Sequence, residues 1–325
     1  TAEAISAVGA TQVFVDVDPS TYLIDFDQIE TAITPATKAL MPVHLFGRAV
    51  DMNQLMAIAE RHQLKVIEDC AQATGARWNG QPVGSFGDAG CFSFFPTKNL
   101  GAAGDAGAVT TSDADLAQAM RELAVHGMPE RYLHTSLGYN SRLDAIQAAV
   151  LNVKLPKLES WISNRKAIAS RYRDALGDLQ GLTLPSSNEG HSWNQFVVRI
   201  GSCPTGQPLC NASCNPSTTS ARHGIPESCC RDWLKQTLQE RGVSTIIYYP
   251  IPIHRQPAYA HLGLKQGSLP VTEQLCSQVL SLPIFPELKE DQQQAVIDTL
   301  RQLLVSNAPA QFRRSEGRDQ DRMVA

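Results

Sequence analysis

The strongest constraint on the fold is a pair of apolar runs that each end in polar side chains. Leu64-Lys65-Val66-Ile67-Glu68-Asp69-Cys70 reads as one strand, and about thirty residues on Cys91-Phe92-Ser93-Phe94-Phe95 reads as another. Residues 38–46 form a further apolar run upstream. Between it and residue 64, Asp51 is placed to cap a helix to His62 that carries Leu55, Met56 and Ile58 partly on one face. Strand, helix, strand at this spacing predicts a right-handed parallel crossover, and parallel strands with polar ends open a ligand crevice at their carboxyl edge.

The second run passes through Pro96 and Thr97 and delivers Lys98 into a loop containing Gly101, Gly104 and Gly107. Burying an ammonium disfavours its charged form, and a lysine with a lowered pKa forms imines with carbonyl compounds. The bland reading is a solvated surface lysine. Asp69, at the end of the neighbouring strand, tips the balance. Pyridoxal phosphate needs a lysine for its aldehyde and a carboxylate to keep its ring nitrogen protonated, and Lys98 with Asp69 would supply both.

At these residues the chain resembles the sugar-nucleotide aminotransferases of the DegT/StrS type. The resemblance is carried by GATQVFVDVDPSTY, MPVHLFGRAVDM, VIEDCAQATGA, GDAGCFSFFPTKNLG, GYNSRLDAIQAAVL and YYPIPIHRQPAY, in the family's order from Gly9 to about Pro286, interrupted once. It implies the type I fold of pyridoxal-phosphate-dependent transferases: an α/β large domain with a mostly parallel sheet flanked by helices, then a smaller α+β domain. The boundary is expected near Pro156, giving a large domain at 1–156 and a small one at 157–305. In the family a glycine-threonine turn that cradles the cofactor phosphate precedes the segment matching Thr1, so the large domain is expected to lack its N-terminal part. The chain would then be a fragment or an inactive copy; Lys98, Asp69 and Gln72 favour the fragment.

The resemblance also implies roles. Lys98 would carry the cofactor and shuttle a proton, Asp69 would pair with the pyridinium nitrogen, and Gln72 would sit by the ring's phenolic oxygen. Ser93 would hold the phosphate, and Asn140 would reach the phosphate of a neighbouring subunit, so that a homodimer shares its active sites. Arg142 would hold the donor's carboxylate, while His254, Tyr249 and His44 would lie near the sugar substrate. For each, a helix cap, strand end or structural hydrogen bond is the competing reading. The implied reaction moves an amino group, with glutamate the expected donor, to the keto group of a nucleotide-linked sugar, as in amino-sugar and cell-surface polysaccharide biosynthesis. The alternative is a truncated, catalytically incompetent member that acts only in dimerisation or binding. A related dehydratase branch carries histidine in place of the lysine, and Lys98 argues against it. Tyr248 stands where family members often have histidine, which leaves the sugar open.

With 325 residues, 43% hydrophobic, the chain is long enough for a large and a small core. Its 28 basic and 32 acidic residues leave a net charge of −4 and no basic stripe, which argues against nucleic acid as a partner. No run reaches the length of a membrane span, and Cys70, Cys91 and Cys276 lie in apolar segments, as expected of reduced cytoplasmic thiols. The segment 201–230 holds Cys203, Cys210, Cys214, Cys229 and Cys230 among Pro, Gly, Ser and Thr; it reads as a surface insertion rather than a metal site, since paired zinc spacings are absent. The polar tail at 306–325 is expected to be disordered.

Overall fold

The computed structural model of the chain describes residues 1–201 and 229–306. The expected Cys-rich insertion and C-terminal tail therefore fall almost wholly outside the described residues.

Two short helices, α1 (Ala2–Ala7) and α2 (Phe26–Ala32), precede the sheet. The crossover expected from the sequence follows as β1 (Ala39–Leu40), α3 (Met52–Arg61) and β2 (Lys65–Asp69). The Asp51 carboxylate accepts from the Gln54 N–H and caps α3, whose Leu55, Ile58 and Ala59 bury against Val50, Met52 and Val66. A tight hairpin, β3 (Arg77–Trp78) and β4 (Gln81–Pro82), turns through Asn79 and Gly80, both at positive φ. Next come β5 (Ala89–Ser93), β6 (Gly107–Thr110) and α4 (Ala114–Ala124). The sheet order is β1-β2-β5-β6, parallel except for β6, with Asp69 opposite Cys91. A mostly parallel sheet is thus present, and it places the end of β2 beside the end of β5.

The chain then enters α5 (Ala145–Lys154), a 3-10 turn at Leu155–Lys157, and α6 (Leu158–Leu176). Pro156 is tolerated because the first residues of a helix need no N–H donor. The remainder is β7 (Leu182–Thr183), β8 (Phe196–Ile200), α7 (Cys229–Glu240), α8 (Pro270–Gln278), β9 (Val279–Leu282) and α9 (Glu290–Ser306). Strands β7, β8 and β9 form an antiparallel sheet, covered by a core that includes Tyr172, Phe196, Leu234, Leu280 and Leu300. A smaller cluster of Tyr22, Phe46, Val197, Leu275 and Val279 joins the first part of the chain to the last.

Two extended runs are not regular strands. Val13 to Val17 makes a single bridge, Val17 to Ile24, because Asp16 turns its carboxylate onto the start of α8 instead, accepting from the N–H groups of Val271 and Thr272 at 2.8 Å each. Val243 to Tyr249 likewise makes one bridge, Ile246 to Ser281, since Ser281 already lies in the β8–β9 ladder. The run at 38–46 is a strand only at its start; Val43 bridges Asp69, and Leu45–Gly47 curls into a 3-10 turn with Phe46 and Gly47 at positive φ.

Candidate active site

The crevice is built on Glu68, the residue before Asp69 on β2. Glu68 is fully buried, and its carboxylate accepts from the N–H groups of Gly84 at 2.7 Å, Phe86 at 2.8 Å and Gly87 at 2.8 Å. Burial alone would push its pKa up; the His44 ring and these N–H donors together hold it below the ordinary glutamate range. His44 Nε2 lies 3.0 Å from Glu68 Oε2, and Nδ1 accepts from the Val50 N–H at 3.0 Å, which puts the ring proton on Nε2. With no exposed surface and both nitrogens engaged, His44 has no face toward a ligand. The hydrogen bonds of this histidine lock the turn that follows β1 onto β2. Ligand atoms of His44, Glu68 and Cys70 lie within 4.8 Å of one another, but the imidazole and carboxylate are spent on hydrogen bonds and burial pushes the Cys70 thiol up.

Side chains alternate along a strand, so Asp69 points the other way, toward the sheet's carboxyl edge. Its Oδ1 accepts from the Ala71 N–H at 3.0 Å. Oδ2 accepts from the Thr1 hydroxyl and lies 3.8 Å from the terminal ammonium. One strand over, the chain leaves β5 and turns so that the Lys98 N–H donates to the Phe95 carbonyl at 2.9 Å. Gly101 is required here: a Cβ would sit 2.4 Å from the Pro96 carbonyl oxygen. Asn99, buried beside the lysine, pins the turn by donating to the carbonyls of Ser192 at 3.0 Å and Thr74 at 3.4 Å. Burial lowers the Lys98 pKa below the ordinary lysine range, opposed by the negative charge of Asp69.

Gln72 reaches the same crevice. Its Oε1 accepts from the Phe46 N–H at 2.8 Å, and its Nε2 donates to the Tyr249 hydroxyl at 2.7 Å. Burial raises the Tyr249 pKa, partly offset by the Gln72 bond, and Asp69 adds to the rise. Ser93, at the end of β5, is half-buried and its hydroxyl accepts only a long bond, 3.4 Å, from the Phe95 N–H. His254 is 3% exposed with Nε2 2.9 Å from Glu273, leaving only Nδ1 for a substrate. Asn140 and Arg142 lie on an exposed stretch, and no hydrogen bond or ion pair joins either side chain to Lys98 or Asp69 within one chain.

Lys98 also lines a cleft of about 490 Å3 between the lysine turn, α6 and the second sheet. Lys154, Trp161, Arg165, Asn194, Tyr248 and Glu287 share it. Sequence reading assigned none of Glu68, Asn99 and Arg165. A signal for Arg165 exists: the buried stripe of α6 runs Leu158, Ile162, Arg165, Ala169, Tyr172, Leu176, a cation on an otherwise apolar face.

A mostly parallel sheet with an aspartate at the end of one strand and a lysine in the turn after the next, followed by a smaller α+β part, is the architecture of the type I pyridoxal-phosphate-dependent transferases. The chain belongs to the DegT/DnrJ/EryC1/StrS aminotransferase family, whose model matches residues 1–207 and 211–301. It is 46% identical over 306 residues to the UDP-N-acetyl-3-dehydro-alpha-D-glucosamine 3-aminotransferase of Acidithiobacillus ferrooxidans, covering 94% of this chain and 74% of that one. Among solved structures, Streptomyces venezuelae DesV in complex with a ketimine intermediate has a TM-score of 0.81 at 41% identity, over 92% of this chain and 74% of that one. NtdA of Bacillus subtilis with bound cofactor PMP has a TM-score of 0.79 at 33% identity, over 93% of this chain and 65% of that one. The chain is thus a sugar aminotransferase in family and fold.

Proposed function

We propose that this protein transfers an amino group from an amino acid, glutamate by preference, to the keto carbon of a nucleotide-linked sugar, using pyridoxal phosphate held at the β2–β5 edge. What supports the reading is Lys98, half-buried in the turn after β5, its pKa lowered by burial against the opposing charge of Asp69 at the end of the adjoining strand β2. The relatives are named as UDP- and dTDP-sugar aminotransferases, which supports the substrate class. The residues fit the cofactor: the Asp69 carboxylate at the carboxyl end of β2 suits a protonated ring nitrogen, and the loosely held Ser93 hydroxyl is free to donate to a phosphate. When bound, the cofactor supplies an aldehyde carbon and a ring that accepts an electron pair.

The chain's own residues do the rest. Asp69 holds positive charge at the ring nitrogen, and Glu68 keeps the strand beneath it from shifting. Gln72, anchored by the Phe46 N–H, presents its amide where Tyr249 now takes it. Lys98 would hold the cofactor by its aldehyde and, as the free amine, would be the group that moves the proton at the donor's Cα, a role that the burial-lowered pKa suits. The stretch that carries Asn140 and Arg142 leaves Tyr132, Leu137, Tyr139 and Ile146 exposed, Leu137 at 97%. A second copy of the chain covering these side chains would bring Asn140 and Arg142 to its own crevice, which is the homodimer with shared sites. The cytoplasm is the proposed compartment. No helix among the described residues is long and apolar enough to cross a membrane.

The test is spectroscopic. Added to purified chain, pyridoxal phosphate should give a near-visible band that sodium borohydride fixes to the peptide containing Lys98, and Lys98→Ala should show neither. A band of equal strength in the variant would remove the lysine from this role.

A further inference from the structure

The loop that carries Lys98 is held by one face of α5. Gln147 Oε1 accepts from the Ala103 N–H at 2.8 Å, and Lys154 Nζ donates to the Gly101 carbonyl. Between them Leu151 packs with Leu100 and Ala102 of the same loop. Residues 147, 151 and 154 recur at the spacing that puts side chains on one side of a helix, so this face reads polar, apolar, polar along the loop. We propose that α5 is the positioning element for Lys98 and that Lys154, acting through the Gly101 carbonyl, is a positioning residue for amino transfer. The inference rests on the reading of Lys98 above and deepens it.

A grip on Gly101 reaches the lysine because the two passes of the turn touch. A Cβ at Gly101 would sit 2.4 Å from the Pro96 carbonyl oxygen and 3.0 Å from that of Phe95, which leaves no slack between exit and entry. The Ala102 N–H donates to the Phe94 carbonyl at 2.7 Å, and the Lys98 N–H to the Phe95 carbonyl at 2.9 Å. Lys98 therefore stands on a closed loop of backbone, entered from β5 and left at 100–103, where α5 makes its three contacts. Displacing Gly101 displaces Pro96 and the lysine with it.

Lys154 is committed to this contact. It is half-buried, and its ammonium has two partners, the Gly101 carbonyl and the ring of Trp161, whose centroid lies 5.8 Å away. Among the described residues it forms no ion pair. A lysine that only solubilised a helix end would meet water or an exposed acid; this one spends its charge on a backbone oxygen of the Lys98 loop, in the stronger, charge-assisted kind of hydrogen bond. The charged groups that share a cleft with Lys98 are Lys154, Arg165 and Glu287, beside the Tyr248 phenol, while Asp69 acts on it from β2. Loss of the Lys154 ammonium lets water reach the turn and takes one cation from the cleft, and both changes favour the charged form of Lys98.

The test reads Lys98 in the full chain without cofactor. Lys154→Met keeps the stem and loses the donors and the charge; Lys154→Arg keeps both. In Lys154→Met the pH at which Lys98 acylation sets in, followed by peptide mass spectrometry, should rise by about 0.5–1 unit, and in Lys154→Arg it should stay near wild type. Leu300→Ala, in the core of the second sheet, destabilises the chain without touching the turn and should leave the onset alone, which separates positioning from general loosening. In the loaded enzyme Lys154→Met should lower kcat at least about tenfold while both KM values stay within about twofold, because a displaced lysine slows the proton step and not binding. Circular dichroism shows which variants fold; should Lys154→Met unfold, Gln147→Met takes its place with the same expected rise. A wild-type onset in the folded variant, or an equal rise in Leu300→Ala, overturns the assignment. Failure of the wild-type chain to form the near-visible band would instead strike the aminotransferase reading, and the acylation onset would still decide whether α5 positions Lys98.

Discussion

Replacing Glu68 with alanine should destabilise the chain more than any single change at the crevice. The carboxylate accepts four hydrogen bonds, from the N–H groups of Gly84, Phe86 and Gly87 and from His44 Nε2, at 2.7 to 3.0 Å and away from water. Its loss strands all four donors in the interior. Each buried donor left unpaired costs about 1–3 kcal/mol before relaxation. Relaxation trims the sum to a few kcal/mol, the upper range for loss of a buried hydrogen-bond network, roughly 4 kcal/mol. Taking about 4 kcal/mol, and roughly 2–4 °C per kcal/mol for a chain of this size, the melting temperature should fall by about 8–16 °C at neutral pH.

The sign of the pH dependence gives an independent arm. Glu68 has its pKa held down in the folded state, so its contribution is present above the ordinary glutamate value of 4.5 and is lost as pH falls through the folded value. Glu68→Gln should therefore flatten the acid limb of the stability curve below about pH 4.5 relative to wild type. Differential scanning calorimetry across pH 3–8 reads both effects. A melting temperature for Glu68→Ala within about 3 °C of wild type would refute the reasoning, because four stranded donors cannot cost so little.

The other expectations concern neighbouring parts of the crevice. Asp69→Asn removes the charge that opposes the burial-driven lowering of the Lys98 pKa, so the onset of Lys98 acylation, followed by peptide mass spectrometry, should move to lower pH; an upward shift would contradict that opposing charge. Gly47→Ala adds a Cβ at φ +94, 2.4 Å from Ser192 Oγ and 2.9 Å from the Asn194 N, and should cost about 1–3 kcal/mol in urea unfolding. Leu137→Asp, at a side chain 97% exposed, should leave the melting temperature of the monomer unchanged while abolishing the dimer in sedimentation; a dimer that survives would move the interface elsewhere.

Much of the first sheet was legible in the chain. The run 64–70 and the cap at Asp51 behave as local rules require, because a strand's alternation and a helix cap each depend on a few adjacent residues. The lysine turn was legible for the same reason, through Pro96 and the close approach that only Gly101 permits. At 13–17 and 243–249 the segments make only single bridges, since pairing along a strand's length depends on partners distant in the chain.

By itself the sequence determined where the strands end in chemistry, Asp69 on one and Lys98 after the next, since both depend on residues close together in the chain. Only the tertiary structure decided which polar groups serve and which support. His44 and Glu68, 24 residues apart, hydrogen-bond to each other in the interior, and Gln72 meets Tyr249 across 177 residues. Arg165 turns from a misplaced charge on an apolar stripe into a clamped donor in the interior. The reason is physical: a polar side chain's role is set by the partners that burial leaves it, and those partners are brought by packing between distant parts of the chain.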